Sequence, residues 1–208
     1  MSAIRLAVGD LPDTDLIARA ATALLEDKVA LLPAEGVYGF HARARAASAI
    51  ERIRALKRDA RAGFIGLIAA PGDLGRWANP SPAALELVGQ YWPGALTLVL
   101  DARPEAPESL RSGSGTIALR CPGSAFLRAV VQEVGEPVVS TSANRSGDPA
   151  PLRVEDAPAG VAELIVDGGV LDGRPSTLVR VGPDGVEILR QGAVRLGDGS
   201  LDGPHAGP

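Results

Sequence analysis

Between residues 13 and 190, apolar stripes at helical spacing alternate with short apolar runs that end in proline, glycine or small hydroxyl-bearing residues. One backbone conformation cannot serve both periods, so the alternation confines the chain to an α/β or α+β architecture. "DTDLIARAATALLEDK" sets Leu16, Ile17, Ala20, Leu24 and Leu25 on one helical stripe, with Asp13 or Thr14 as a cap. "VALLP" then reads as a buried strand ended by its proline. "AASAIERIRALKR" turns Ile50, Ile53 and Leu56 to a core, and "FIGLIAA" is strand-like. Ser81 followed by Pro82 starts the helix "SPAALELVGQ", after which "ALTLVL" and "TIALRCP" read as strands. Ser124 opens "SAFLRAVVQEV" and Gly135 closes it before the strand "EPVVST". Beyond residue 148 the chain turns proline-rich, then resumes with "AELIVDGG", "STLVRVG" and "VEILRQG".

With 46% hydrophobic and 22% charged residues in 208, there is enough apolar content for one sizeable core, and residues 1–196 are expected to form one domain. The closing "GDGSLDGPHAGP", residues 197–208, has too little apolar content to pack and is expected to be a disordered tail. No stretch approaches the roughly 18 apolar residues of a membrane span, and "MSAIRLAVGDLPD" lacks the pattern of a signal peptide. The expected location is cytoplasmic. A single cysteine, Cys121, excludes an internal disulfide framework and a cysteine-based zinc cluster. The net charge of -4 argues against general coating of nucleic acid, though a local basic groove is compatible with it.

Five strand-like segments finish in polar or glycine-rich turns: "LLPAEGVYG", "TIALRCPG", "VVSTSANRSG", "RPSTLVRV" and "ILRQG". In sheets with helical crossovers ligands gather at such strand ends. Small hydroxyls and backbone N–H groups there can hold phosphate or carboxylate oxygens, with Arg120 and Arg190 supplying charge at the same rim. Taken alone, each turn is explained by Ser or Asn capping.

Other chemistries find less in the residues. A serine hydrolase would need a histidine beside Ser140 or Ser142, and the two histidines are His41, read as a solvated loop residue, and His205 in the tail. Two histidines and one cysteine are too few for an ordinary zinc site. Arg43, Arg45, Arg52, Arg54, Lys57, Arg58 and Arg61 form a basic stretch that suits a solvated helix face or an RNA-facing patch equally. Trp77, Tyr91 and Trp92 read as packing residues and Cys121 as a small buried hydrophobe.

The set "LLPAEGVYGF", "ALKRDAR", "YWPGALTLVL", "TIALRCP", "VVSTSANRSG", "IVDGG", "PSTLVRV" and "ILRQGA", in this order from about residue 14 to residue 196, resembles the YrdC-like family of threonylcarbamoyl-AMP synthases. The resemblance implies a twisted, curved mixed sheet with flanking helices around a large, positively lined cavity. It implies an enzyme that joins L-threonine, bicarbonate and ATP into threonylcarbamoyl-adenylate, for tRNA threonylcarbamoyladenosine modification, with Mg²⁺ bridging phosphate oxygens. It assigns Thr116, Ser140, Ser142, Asn144, Ser176 and Arg190 to the nucleotide, and Gly36, Arg120 and Thr141 to threonine. Lys57 matches the phosphate-facing lysine of the family's Lys-x-Arg motif, and with Arg58 and Arg61, the arginines able to complete it, makes the expected catalytic set. Double-stranded RNA binding has been described within the family, which makes RNA or tRNA an expected contact.

The departures from the family pattern matter equally. Threonine is usual at the positions of Ala34 and Gly36, and arginine at the position of Asp59, so the phosphate-facing motif is broken at its second charge. A missing neutral hydrogen bond costs about 0.5–1.5 kcal/mol, whereas a lost partner in a buried charge contact costs about 2–5 kcal/mol. Two readings follow. One is an enzyme acting on threonine or another small amine, and the other is a non-catalytic paralogue that binds nucleotide or double-stranded RNA.

Overall fold

The computed structural model describes residues 3–9, 13–58, 63–182 and 185–196. Ten strands form one mixed sheet: β1 (Ile4–Ala7), β2 (Ala30–Pro33), β3 (Tyr38–Arg43), β4 (Ile65–Leu67), β5 (Leu96–Asp101), β6 (Thr116–Arg120), β7 (Val138–Ser142), β8 (Leu164–Asp167), β9 (Thr177–Gly182) and β10 (Gly185–Arg190). Their spatial order is β1-β8-β2-β3-β7-β4-β6-β5-β9-β10. The β4–β6 and β5–β9 pairs are parallel, while β7 runs antiparallel to both β3 and β4.

Helices cover both faces, as the alternation requires. α1 (Asp13–Leu25) and α5 (Ala125–Val134) bury Leu16, Leu24, Leu127 and Val131 against one face. On the other face lie α2 (Ala47–Lys57), α3 (Leu74–Trp77) and α4 (Pro82–Tyr91), contributing Ile53, Trp77 and Leu87. The two-residue period of a strand divides β2 between these cores: Leu31 packs on the second, Ala30 and Leu32 on the first. Each fully buried aliphatic side chain contributes roughly 1.5–3 kcal/mol.

The caps read from the sequence are present. Ser81 Oγ accepts from Ala84 N at 3.3 Å, Ser124 Oγ accepts from Leu127 N at 3.3 Å, and Gly135 ends α5 with φ +74. α1 stops at Leu25, short of the expected Lys28, and Asp27 turns the chain with φ +58. The "FIGLIAA" strand is shorter than read, covering Ile65–Leu67. β1 and β3 were not anticipated as strands.

His41 corrects its sequence assignment. It sits on β3 between β2 and β7, fully buried, and not in a solvated loop. Cys121, Trp77 and Trp92 are buried as expected, with Trp92 Nε1 donating to the Leu96 carbonyl at 2.7 Å. No helix among the described residues is long and apolar enough to cross a membrane. The expected tail, residues 197–208, lies outside the described residues.

Candidate active site

The ends of β6 and β7, the turn after β2 and the start of β9 border a cavity of about 130 Å³ lined by Ala34, Glu35, Arg120, Ser140, Ser142 and Ser176, among others. Gly63, Ile65 and Arg190 also line a neighbouring groove of about 570 Å³. The groove includes Thr116, Ser112, Arg54 and Leu178, and its volume falls in the range of ordinary ligand pockets.

Arg120 forms the charged floor. Its side chain is 5% exposed, and Nη1 lies 3.3 Å from Glu35 Oε2. That approach is an ion pair without hydrogen-bond alignment, since Glu35 Oε2 and Arg120 Nε are both buried without a hydrogen-bond partner. Burial lowers the Arg120 pKa, Glu35 opposes the shift, and nearby Arg190 adds to it. An arginine nevertheless keeps its charge, which leaves a buried cation with unused donor capacity beside an open cavity. Glu35 Oε1 in turn accepts from the Gly123 and Ser124 backbone at the start of α5. Its place in the network was missed in the sequence, where the only signal was an acid in a strand-ending turn.

Gly36 lies in that turn with φ +88, and a Cβ there would stand 2.1 Å from the Arg174 carbonyl oxygen. The Gly173 N–H donates to the Gly36 carbonyl at 2.7 Å, fastening residues 173–175 across the turn. In this backbone the hydroxyl expected from the family pattern has no room at position 36.

The loop after β7 is organised by Lys57 at the end of α2. Its Nζ donates to the Ser142 carbonyl at 2.6 Å and to Asn144 Oδ1 at 3.0 Å, and lies 3.3 Å from Ser142 Oγ. Ser142 Oγ donates to the same Asn144 oxygen at 2.6 Å. Burial lowers the Lys57 pKa to about 8. Lys57 therefore reaches the site through Ser142 and Asn144. Arg58 caps α2 in the left-handed conformation at an exposed position, while Asp59 and Arg61 lie outside the described residues.

Ser176 lines the cavity and meets Arg190, which borders both cavity and groove. Arg190 Nη2 donates to the Ser176 carbonyl at 2.9 Å and lies 3.3 Å from its Oγ, which contacts Thr97 Oγ1 at 2.9 Å. Desolvation lowers the Arg190 pKa. Thr177 Oγ1 accepts from Gly192 N and Val194 N at 2.9 and 3.1 Å and donates to the Val194 carbonyl, so "PSTLVRV" and "ILRQGA" lock together. Gly192 makes this approach possible, since a Cβ would fall 2.3 Å from the Pro175 oxygen.

Strand alternation gives Ser140 and Ser142 one face of β7 and Thr141 the other, although all three border the cavity. Ser140 Oγ is 3.2 Å from His41 Nε2, the serine–histidine proximity that the sequence had appeared to lack. Thr116 is at the groove, where its hydroxyl lies 2.8 Å from Ser112 Oγ. Three of the seven basic residues in the stretch pair with acids: Arg43 with Asp27, Arg45 with Glu136, and Arg52 with Glu163, while Arg54 donates to the Ser109 carbonyl and covers the Phe64 ring.

The Sua5/YciO/YrdC family model, described as telomere recombination, matches residues 22–192. The chain belongs to this family. It is 36% identical over 185 residues to the threonylcarbamoyl-AMP synthase of Bacillus subtilis, covering 86% of this chain and 54% of that protein. To the threonylcarbamoyl-AMP synthase of Pseudoalteromonas translucida it is 32% identical over 159 residues, covering 74% of this chain and 85% of that protein. The structure of P. abyssi Sua5 complexed with L-threonine superposes with a TM-score of 0.81 at 30% identity, over 92% of this chain and 58% of that one. The chain thus spans little more than half the length of the Bacillus and Pyrococcus relatives.

Proposed function

We propose that this Sua5/YciO/YrdC-family chain makes threonylcarbamoyl-adenylate from L-threonine, bicarbonate and ATP, for threonylcarbamoyladenosine formation in tRNA. The observation that carries the proposal is the buried Arg120 guanidinium, with an unpartnered Nε, in a small cavity that shares Gly63, Ile65 and Arg190 with a neighbouring ligand-sized groove. Arg120 would hold the amino-acid carboxylate, and Thr116, Ser176 and Arg190 the nucleotide. Ser140, Thr141, Ser142 and Asn144 would line the junction, with Lys57 fixing their loop.

Threonine's amine and bicarbonate give a carbamate with loss of water. A carbamate oxygen then attacks the α-phosphorus of ATP, and pyrophosphate leaves. The protein's contribution is to align the two reactants and stabilise charge through Arg190 and backbone N–H groups, with no covalent intermediate. Among the described residues no group of three or more His, Cys, Asp or Glu could hold a metal ion. Mg²⁺ therefore fits as part of the substrate, carried on ATP phosphates. The expected RNA contact has less support, because Arg43, Arg45 and Arg52 are paired with acids.

Pyrophosphate release that requires threonine, bicarbonate and ATP together tests the proposal. The turn at Gly36, which excludes a threonine side chain, favours a second reading in which the fold binds nucleotide without turnover. Nucleotide binding by calorimetry with no release in the presence of all three substrates would select it.

A further inference from the structure

His41 and Ser140 are directly opposite one another on β3 and β7. Both ring nitrogens of His41 have contacts: Nδ1 lies 2.9 Å from the Gly39 carbonyl oxygen, and Nε2 lies 3.2 Å from Ser140 Oγ. A carbonyl has no proton to give, so Nδ1 carries the hydrogen. The ring is fully buried, and desolvation lowers its pKa to about 4, opposed by the Gly39 carbonyl, reinforced to a lesser degree by nearby Arg120 and opposed least by the Ala30 carbonyl. It is neutral at physiological pH. Nε2 is then a bare acceptor, and the Ser140 hydroxyl spends its single hydrogen on it. Towards the cavity, Ser140 presents lone pairs alone.

We propose that His41 is a positioning residue that fixes Ser140 as an obligate hydrogen-bond acceptor, so that the cavity selects a ligand N–H there, the α-amino group of a primary amino acid and afterwards its carbamate N–H. This rests on the amino-acid reading of the cavity, with Arg120 taking the carboxylate. Register supports the pairing of roles. Ile65 on β4 lies between Ser140 and Ala118, and Leu67 between Val138 and Arg120, which sets Ser140 and Arg120 on the two strands flanking β4. Two strand spacings of about 10 Å, combined with the two-residue offset of about 7 Å along the strands, separate the two backbone positions by about 12 Å, an interval that the long Arg120 side chain can shorten to the span of one amino acid.

A nucleophilic serine activated by histidine is the competing use of the same contact. The surroundings disfavour it. Taking the serine proton would create an imidazolium in a fully buried site near Arg120, and the group behind Nδ1 is a neutral carbonyl with no charge to stabilise that cation.

The chain has two histidines, so this 208-residue chain labelled with ¹⁵N-histidine gives a spectrum that His205→Ala assigns. His41 should show the Nδ1–H tautomer, unchanged from pH 5 to pH 8. An Nε2–H tautomer, or an imidazolium at pH 6, overturns the proposal without any ligand. In calorimetry, Ser140→Ala and His41→Leu should each weaken L-threonine binding by up to about tenfold, and each should weaken it more than ATP binding, which corrects the expected assignment of Ser140 to the nucleotide. The double variant should be no weaker than Ser140→Ala, and His41→Gln should recover affinity, since its amide can accept from Ser140 and donate to Gly39. Additive losses overturn the positioning role. Wild-type protein that takes no threonine but shows the expected tautomer would instead bring down the amino-acid reading and, with it, the ligand N–H assigned to Ser140, leaving only the hydroxyl's direction established.

Discussion

Arg120 Nη1 stands 3.3 Å from Glu35 Oε2 in an ion pair that leaves hydrogen-bonding capacity on both sides. Replacing Arg120 by Met strands the Glu35 carboxylate and should cost on the order of 2–5 kcal/mol. It should also abolish threonine binding. Glu35→Gln keeps an acceptor for the start of α5 and removes the competitor for the guanidinium, so it should be milder in stability and should tighten carboxylate binding. Denaturant unfolding and calorimetry on both variants read these signs directly.

Gly36→Thr should destabilise the fold by at least about 2 kcal/mol, because a β-branched residue at φ +88 is strained and its Cβ meets the Arg174 backbone. Ala34→Thr, which extends a side chain that already has a Cβ, should be far milder. Thermal melts of the two variants separate them, and equal losses would show that the 173–175 segment yields easily.

Lys57 gives the protein an alkaline signature. Its pKa is about 8 in the fold against 10.5 as the ordinary value. Between those values the unfolded chain holds a proton that the folded one lacks, so this group's contribution makes stability rise with pH from about 8 to about 10.5. Lys57→Met should remove that rise. Anion binding that depends on the ammonium should fall over the upward passage through pH 8, as a nucleotide titration at pH 7 and pH 9 would reveal.

His41 acts at the other end of the scale. It is neutral in both states above about pH 6.5, and on acidification the unfolded chain takes up a proton that the buried ring refuses until about pH 4. Stability should therefore fall through that window by up to about 1.4 kcal/mol per pH unit from this residue. The difference between wild type and His41→Gln in urea unfolding at pH 4.5, 5.5 and 7 isolates it from the carboxylates.

What local sequence dictates was legible: Ser81, Ser124 and Gly135 bound their helices because capping involves neighbours in the chain. β3 was not, since Gly39 and His41 interrupt its apolar pattern and only flanking β2 and β7 bury it. The residues around the cavity were largely readable as polar strand ends. Their wiring was hidden. That Lys57 grips Ser142, that Glu35 backs Arg120, and that Arg43, Arg45 and Arg52 spend their charge on acids depends on contacts between distant segments.

The crossing of residues 173–175 over the Gly36 turn, with β9 paired to β5 beyond it, has a bearing on how the protein is made. The floor of the cavity, from Glu35 to Ser142, leaves the ribosome well before Ser176 and Arg190 exist. A nascent chain can therefore build most of its sheet while the pocket is still open on one side, and a chain that stops short of residue 190 lacks the arginine that borders both the small cavity and the larger groove. The wall that Arg190 contributes to both cavity and groove is complete only when the last strand is laid against β9.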